Sequence, residues 1–463
     1  MRDSETHFSY DDEKFEAAFQ AALQNKKKDH PSYIGGLKVA SGHLFTPKSP
    51  IDSSIVFGTF QEPESGTAEL AVEVALKNHP QWSKLSVRER AKYFESLLET
   101  VKAQRYRLAA MVLLSTGMTR QESVAEVDNL INTISSVCKN TKDGLKGKTG
   151  VWGIITSFNS PLASPIGHAV AAMAAGNTVV VMPSKYCPVP VFMIYEMLEA
   201  IGLPAGVMNL IVDRKDCSYE QLANDPELEG IVISGSAEYL EEMIFLMVDD
   251  ELKVLNELKG MNPIIVHRPG DAKAAARDIL ESAFRYSGQG LFSTSKIIIT
   301  AEDSNKIINA LLEKVRELKI GDPADADTFS GPLISEESGK KFIKKTDEAR
   351  GNILFGAKKV DNETTRNGLY FTPAIITGLD DDHDLMYMDS GLPILCIKTV
   401  QDFDSALQEI EETECGLSAG IISKDQRAVE RFLSEADVMF KFVNESSASL
   451  KPAVYARAEA FLK

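Results

Sequence analysis

Between Gly150 and Ser236 short apolar runs alternate with helical segments, and this alternation restricts the fold more than any other stretch. The runs at 151–157, 178–182, 207–211 and 230–233 are rich in Val and Ile and too short for buried helices. The intervening segments 162–175, 189–201 and 218–224 read as helices. Strands apolar on both faces, each followed by a helix, predict an α/β fold with a parallel sheet covered on both sides. Ligands of such sheets lie beyond the carboxyl ends of the strands. Those ends are Ser157-Phe158-Asn159, Met182-Pro183-Ser184-Lys185 and Ser234-Gly235-Ser236.

The 463 residues are too many for one ordinary core. Ahead of the alternating region, a helix is expected over 11–28, where Phe15, Ala18, Phe19 and Ala22 share a face. Short strands are expected at 39–45 and 54–58. A long helical tract then occupies 67–139, interrupted near Pro80 and at Gly117. After Glu257 a second α/β pattern begins: a strand at 263–266, a helix from Asp271, the turn Ser287-Gly288-Gln289-Gly290, a helix at 304–319 and strands at 374–376 and 393–400. The domain boundaries expected are 1–254, 255–442 and a short tail, 443–463, that returns to the first domain.

Composition removes several classes of function. Lys and Arg total 50 against 67 Asp and Glu, a net charge of −17, which opposes attraction to nucleic acid or anionic membranes. No segment approaches the roughly 18 uncharged apolar residues of a membrane span, so a cytoplasmic protein is expected. Five cysteines, Cys138, Cys187, Cys217, Cys396 and Cys415, form no CxxC pair, so neither a disulfide framework nor a metal site is expected.

Several segments are similar to the aldehyde dehydrogenase superfamily, and the early Phe/Ala helix and the segment ending Ser53-Ser54-Ile55-Val56-Phe57-Gly58 resemble its 1-pyrroline-5-carboxylate dehydrogenase branch. Ala174-Ala175-Gly176-Asn177-Thr178, Pro204-Ala205-Gly206-Val207-Met208-Asn209, Gly331-Pro332-Leu333-Ile334 and Gly368-Leu369-Tyr370-Phe371-Thr372-Pro373 match the family pattern throughout. The resemblance implies a Rossmann-type cofactor domain followed by an α/β catalytic domain. It also implies an NAD(P)-linked oxidoreductase.

The functional positions depart from the pattern. Glu257 fits the family's E-L-G-G-K-x-P glutamate, the general base of thioester hydrolysis. Leu291 stands where G-Q-x-C requires the nucleophilic thiol, and a leucine has no lone pair with which to attack a carbonyl. Asn159 matches the oxyanion-binding asparagine of P-W-N-F-P, while Ser157 and Phe158 replace its first two residues. In the segment matching K-P-S-E, Met182 replaces the lysine and Lys185 the glutamate, so two ribose contacts are lost and a cation is gained that would suit a 2′-phosphate. Gly235 and Ser236 match a turn that receives a pyrophosphate. Asp389 stands for the E-x-F-G-P glutamate that grips the nicotinamide ribose, one methylene shorter.

Two functions remain open. One is a non-catalytic binding or regulatory relative, whose partner is a small-molecule ligand or a nucleotide, with NAD(P) binding weak or absent. The other is an NAD(P)-dependent aldehyde or 1-pyrroline-5-carboxylate oxidoreductase acting through an altered site. The family's oligomerisation hairpin would have to fit into 139–150, and only 19 residues follow Asn444. Twelve polar residues are too few for two strands that reach a neighbour, so a monomer or a dimer through another surface is expected.

Overall fold

The computed structural model describes residues 10–24, 28–141, 147–214, 217–236, 252–413, 417–450 and 458–462. The chain divides into two compact units. The first comprises His7–Thr116, Arg120–Glu257 and Lys451–Lys463, and the second is chiefly Leu258–Leu450.

In the first unit a seven-stranded sheet has the order Lys253–Lys259, Leu228–Ser236, Val151–Ile155, Thr178–Met182, Met208–Leu210, Ser32–Ile34, Leu37–Val39, the first of these strands crossing the boundary between the units after Glu257. The strands from Leu228–Ser236 to Met208–Leu210 pair in parallel, whereas Ser32–Ile34 pairs antiparallel with both its neighbours. Val151–Ile155 and Thr178–Met182 are buried throughout, as runs covered on both faces must be. Helices Ala163–Ala175, Val189–Ala200 and Cys217–Ala223 fall within a residue of the expected spans.

Helix ends in this unit are tied together by side chains from elsewhere in the chain. Gly176 ends Ala163–Ala175 in the left-handed conformation, at φ 109°. Arg90, buried, donates from Nε to the Ala174 carbonyl at 3.0 Å and from Nη1 to the carbonyls of Ser83 and Leu85, placing a cation where helix carbonyls lack partners. Asn177 accepts from Gly150 N at 2.9 Å and donates to the Phe461 carbonyl at 3.0 Å. Lys253 donates to the carbonyls of Ala460 and Leu462, and the Phe461 ring packs edge-on to Trp152 at 4.8 Å.

The amino-terminal region differs from expectation at its edges. The first helix is Asp12–Leu23, because Lys28–His30 pairs in parallel with Gly58–Gln61. Leu37–Val39 and Leu44–Phe45 are separate strands; Gly35 and Gly36 supply the positive φ values of the hairpin that joins the former to Ser32–Ile34. Pro80 does not break its helix, which runs Thr67–Ser83. It lies in the last turn, where a missing N–H costs one bond, and Trp82 anchors that turn by donating to the Met173 carbonyl at 2.9 Å.

The second unit holds a seven-stranded sheet of order Ile353–Phe355, Ala374–Thr377, Ile394–Val400, Lys296–Thr300, Ile264–Val266, Ser418–Ile422, Phe440–Val443, parallel except for the first strand. Ala272–Phe284 and Ser304–Lys314 pack with Ile264, Ile297 and Ile299 on one face, while Phe403–Glu411 and Gln426–Glu435 pack with Ile265, Ile298 and Ile421 on the other. Alternate residues of each strand thus serve opposite faces. Asp271 caps its helix by accepting from Lys273 N and Ala274 N. The hairpin expectation for 139–150 falls partly on residues 142–146, and the tail expectation partly on 451–457 and 463, all outside the described residues. Among the described residues no helix is long and apolar enough to cross a membrane.

Candidate functional site

In the first unit the ends of adjacent parallel strands bring four expected residues together. Thr156 N donates to the Met182 carbonyl at 3.1 Å, which sets the loop of Ser157, Phe158 and Asn159 beside that of Lys185. The Ser157 hydroxyl donates to Asn159 Oδ1, closing a local turn. Phe158 meets Tyr186 edge-to-face at 6.0 Å. Lys185 Nζ lies 5.8 Å from the Tyr186 ring centroid and donates to the Arg214 carbonyl at 3.1 Å. Gly235 and Ser236 end the strand Leu228–Ser236; the turn and helix expected after them fall within 237–251, outside the described residues.

Glu257 is buried in the first unit and fully engaged. Its Oε2 accepts from the Ser164 hydroxyl and faces His168 Nε2 at 3.6 Å. Ser164 and His168 are i and i+4 on the helix Ala163–Ala175, so one helix face presents both. Burial pushes the Glu257 carboxyl up. The hydrogen bond and charge of His168, with the hydroxyls of Ser164 and Ser234, outweigh burial and hold it below the ordinary glutamate value.

A second buried carboxylate, Glu126, escaped the sequence reading. Its Oε1 accepts from Ser160 Oγ at 3.0 Å, Leu162 N at 2.9 Å and Ala163 N at 2.8 Å. It therefore caps the helix that carries Ser164 and His168. Burial raises its pKa against those three bonds, and the charge of Glu257 raises it further. Nothing in the sequence near Glu126 signals this, because its partners lie 34 to 37 residues away.

In the second unit the turn before Leu291 is left-handed at three successive residues, Tyr286, Ser287 and Gly288, with φ of 49°, 52° and 67°. Side chains fix it from both sides. Ser287 donates to the Gly331 carbonyl at 2.7 Å, and Gln289 bonds Pro332 O and Ile334 N. Asn262 donates to the carbonyls of Leu291 and Ser293, at 3.0 and 3.1 Å, and accepts from Ser418. The Gly331–Ile334 segment that matched the family pattern thus clamps the loop that carries Leu291. Leu291 itself is 4% exposed.

Asp389 lies in the same unit, but its carboxylate is already committed. Oδ1 accepts from Lys259 Nζ at 2.6 Å and from the Ser295 hydroxyl, and Oδ2 accepts from Gly391 N at 3.0 Å. The Lys259 and Asp389 side chains are 1% and 4% exposed. The sequence carried a signal for this pair: Lys259 stands at the first glycine of the segment matching E-L-G-G-K. His267, Glu302 and Asp303 also converge in this unit, their ligand atoms within 4.8 Å of one another. There both acids already have donors: the Arg268 guanidinium donates to Glu302 at 2.8 Å and the Arg268 backbone N–H to Asp303 at 2.6 Å.

Both sheets, and the placement of these loops on them, define an aldehyde-dehydrogenase-like α/β protein. The chain aligns over 99% of its length with 1-pyrroline-5-carboxylate dehydrogenase from Thermus with bound NAD, over 96% of that chain, at a TM-score of 0.91 and 20% identity. The profile of the Aldehyde dehydrogenase family matches residues 40–455, and the chain belongs to that family. Among its relatives, 1-pyrroline-5-carboxylate dehydrogenase of Geobacillus sp. (strain WCH70) is 27% identical over 92% of this chain and 86% of the relative. Alpha-ketoglutaric semialdehyde dehydrogenase of Bacillus subtilis (strain 168) is 26% identical over 91% of this chain and 90% of the relative.

Proposed function

We propose that this family member does not oxidise aldehydes through a thiol adduct and serves instead as a binding or regulatory relative of the 1-pyrroline-5-carboxylate dehydrogenases. The observation that carries the reading is Leu291, an apolar side chain held by Asn262 and the Gln289 clamp where the family pattern calls for the nucleophile. Cys138, Cys187 and Cys396 offer no substitute thiolate. Burial pushes the Cys138 thiol up to about 11 and those of Cys187 and Cys396 up to about 12. The Ser295 hydroxyl is spent on Asp389.

The nicotinamide ribose contact implied by the family does not fit the residues at Asp389. A ribose hydroxyl approaching Asp389 would have to displace a buried ammonium and a hydroxyl already bonded to it. Lys185 is the group that suits a phosphate, so a nucleotide that binds this chain would rely on the first unit. The short 139–150 segment supports a monomer or a dimer through another surface.

Glu257 favours the second reading, an altered oxidoreductase, since its carboxylate is held ionised beside His168. An assay with glutamate semialdehyde and both nicotinamide cofactors separates the two. The expected result is no turnover by the parent and none by Leu291→Cys alone; turnover abolished by Glu257→Gln would establish the oxidoreductase instead.

A further inference from the structure

Ala458–Phe461 forms a 3-10 turn that belongs to no sheet, and side chains of the first unit grip it from below. Phe461 is fully buried. Its ring meets the Trp152 indole edge-on at 4.8 Å and lies 6.1 Å from the His168 imidazole. Three successive carbonyls are taken by two side chains: Lys253 Nζ donates to those of Ala460 and Leu462 at 2.7 and 2.8 Å, and Asn177 Nδ2 to that of Phe461 at 3.0 Å. Trp152 and Lys253 stand on separate strands, His168 on the helix Ala163–Ala175 and Asn177 at the start of Thr178–Met182, so four elements build the slot.

His168 links this slot to Glu257. Its Nε2 faces Glu257 Oε2 at 3.6 Å, whereas Nδ1 has no hydrogen-bond partner among the described residues. The outer torsion of a histidine is broad and roughly two-fold, so with no bond at Nδ1 the ring is oriented by what packs on it, and Phe461 is one of those groups. Lys253 and Glu257 are four residues apart on one strand and share a face, which puts the ammonium that grips the segment on the same side of the sheet as the carboxylate that faces His168. A segment held through side chains, outside any strand ladder, opens at lower cost than the strands beneath it.

We propose that residues 458–462 form a releasable strap whose docking sets the His168 imidazole against Glu257, so that vacating the slot frees His168 from that carboxylate. The strap thereby regulates Glu257 without touching it. Its test reads the positions of Trp152 and His168 rather than turnover, so its outcome is separate from the function proposed above.

Fluorine NMR of the full chain labelled with 5-fluorotryptophan gives one signal each for Trp82 and Trp152, and nitrogen-15 histidine labelling follows His168, assigned with His168→Gln. The indole N–H of Trp152 is buried without a partner among the described residues, so water entering the vacated slot bonds it and moves its signal. In Phe461→Ala the Trp152 and His168 signals are both expected to move, and an acetylated peptide of residues 458–463 at about 5 mM is expected to return both to their parental positions. The same peptide with alanine for its phenylalanine returns neither. Lys253→Met, which removes two of the donations and leaves Phe461 in place, is expected to move both signals the same way by a smaller amount, and it carries the test if circular dichroism shows Phe461→Ala to be unfolded. A His168 signal that stays at its parental position in these variants, or one that moves in Phe461→Ala and is not returned by the peptide, would overturn the proposal. So would a Trp152 signal that moves alone, because the segment would then only cover the core.

Discussion

Replacing Lys259 by Met keeps an unbranched side chain of similar length while removing the ammonium that Asp389 faces at 2.6 Å. Both side chains are almost fully buried, so the carboxylate left behind cannot recover water. It retains two donors, the Ser295 hydroxyl and Gly391 N, which soften the loss without neutralising the charge. Removing one member of a buried pair costs about 3–5 kcal/mol. For a unit the size of Leu258–Leu450, each kcal/mol moves the transition by about 2–4 °C, so its melting falls by about 6–20 °C. The double variant Lys259→Met/Asp389→Leu removes both charges and should lie near the parent, since well-packed apolar replacements of ion pairs are neutral or stabilising. Scanning calorimetry of the parent, the two single variants and the double variant gives the coupling directly. A single Lys259→Met variant that melts within about 2 °C of the parent would refute the idea that this pair is a dry, mutually dependent contact.

Glu257 and Glu126 should respond to pH in opposite senses. A depressed carboxyl such as Glu257 contributes stability at neutral pH that is lost as pH falls through its folded pKa, so Glu257→Gln should flatten the acid limb of a melting-versus-pH series. A raised carboxyl such as Glu126 favours the fold only while protonated, so Glu126→Gln, which still accepts from Leu162 N and Ala163 N, should hold or gain stability by pH 8; a larger loss there than in Glu257→Gln would contradict the assignment. Gly288→Ala should destabilise the Leu291 loop, because a Cβ there would sit 2.4 Å from the Leu392 carbonyl at a φ of 67°; hydrogen exchange at 286–292 matching the parent would show that the loop accommodates it.

The sequence by itself determined the class of fold and the location of its loops. Fully apolar runs such as 178–182 can be buried only between two helical layers, and the observed strand matches that span. The Gly176 segment matched the family pattern because its φ of 109° favours glycine locally, whereas Gly331 and Asn177 answer to atoms far along the chain, the Gly117 carbonyl that a Cβ on Gly331 would meet at 2.1 Å and the Phe461 carbonyl to which Asn177 donates. That Leu291 carries no nucleophilic atom was likewise legible, since it concerns what a side chain lacks. What the sequence could not yield was which groups are already satisfied. Asp389 read as an open ribose ligand until its neighbour in space, Lys259, 130 residues away in the chain, was seen to fill it. Glu257 read as the family's general base, yet its charge state depends on His168, and the helix bearing His168 is held by Glu126. Apolar burial follows a period that can be counted along a chain, whereas hydrogen bonding and ionisation are set by atoms within a few ångströms. Those atoms came from distant parts of the sequence, and only the tertiary structure brought them together.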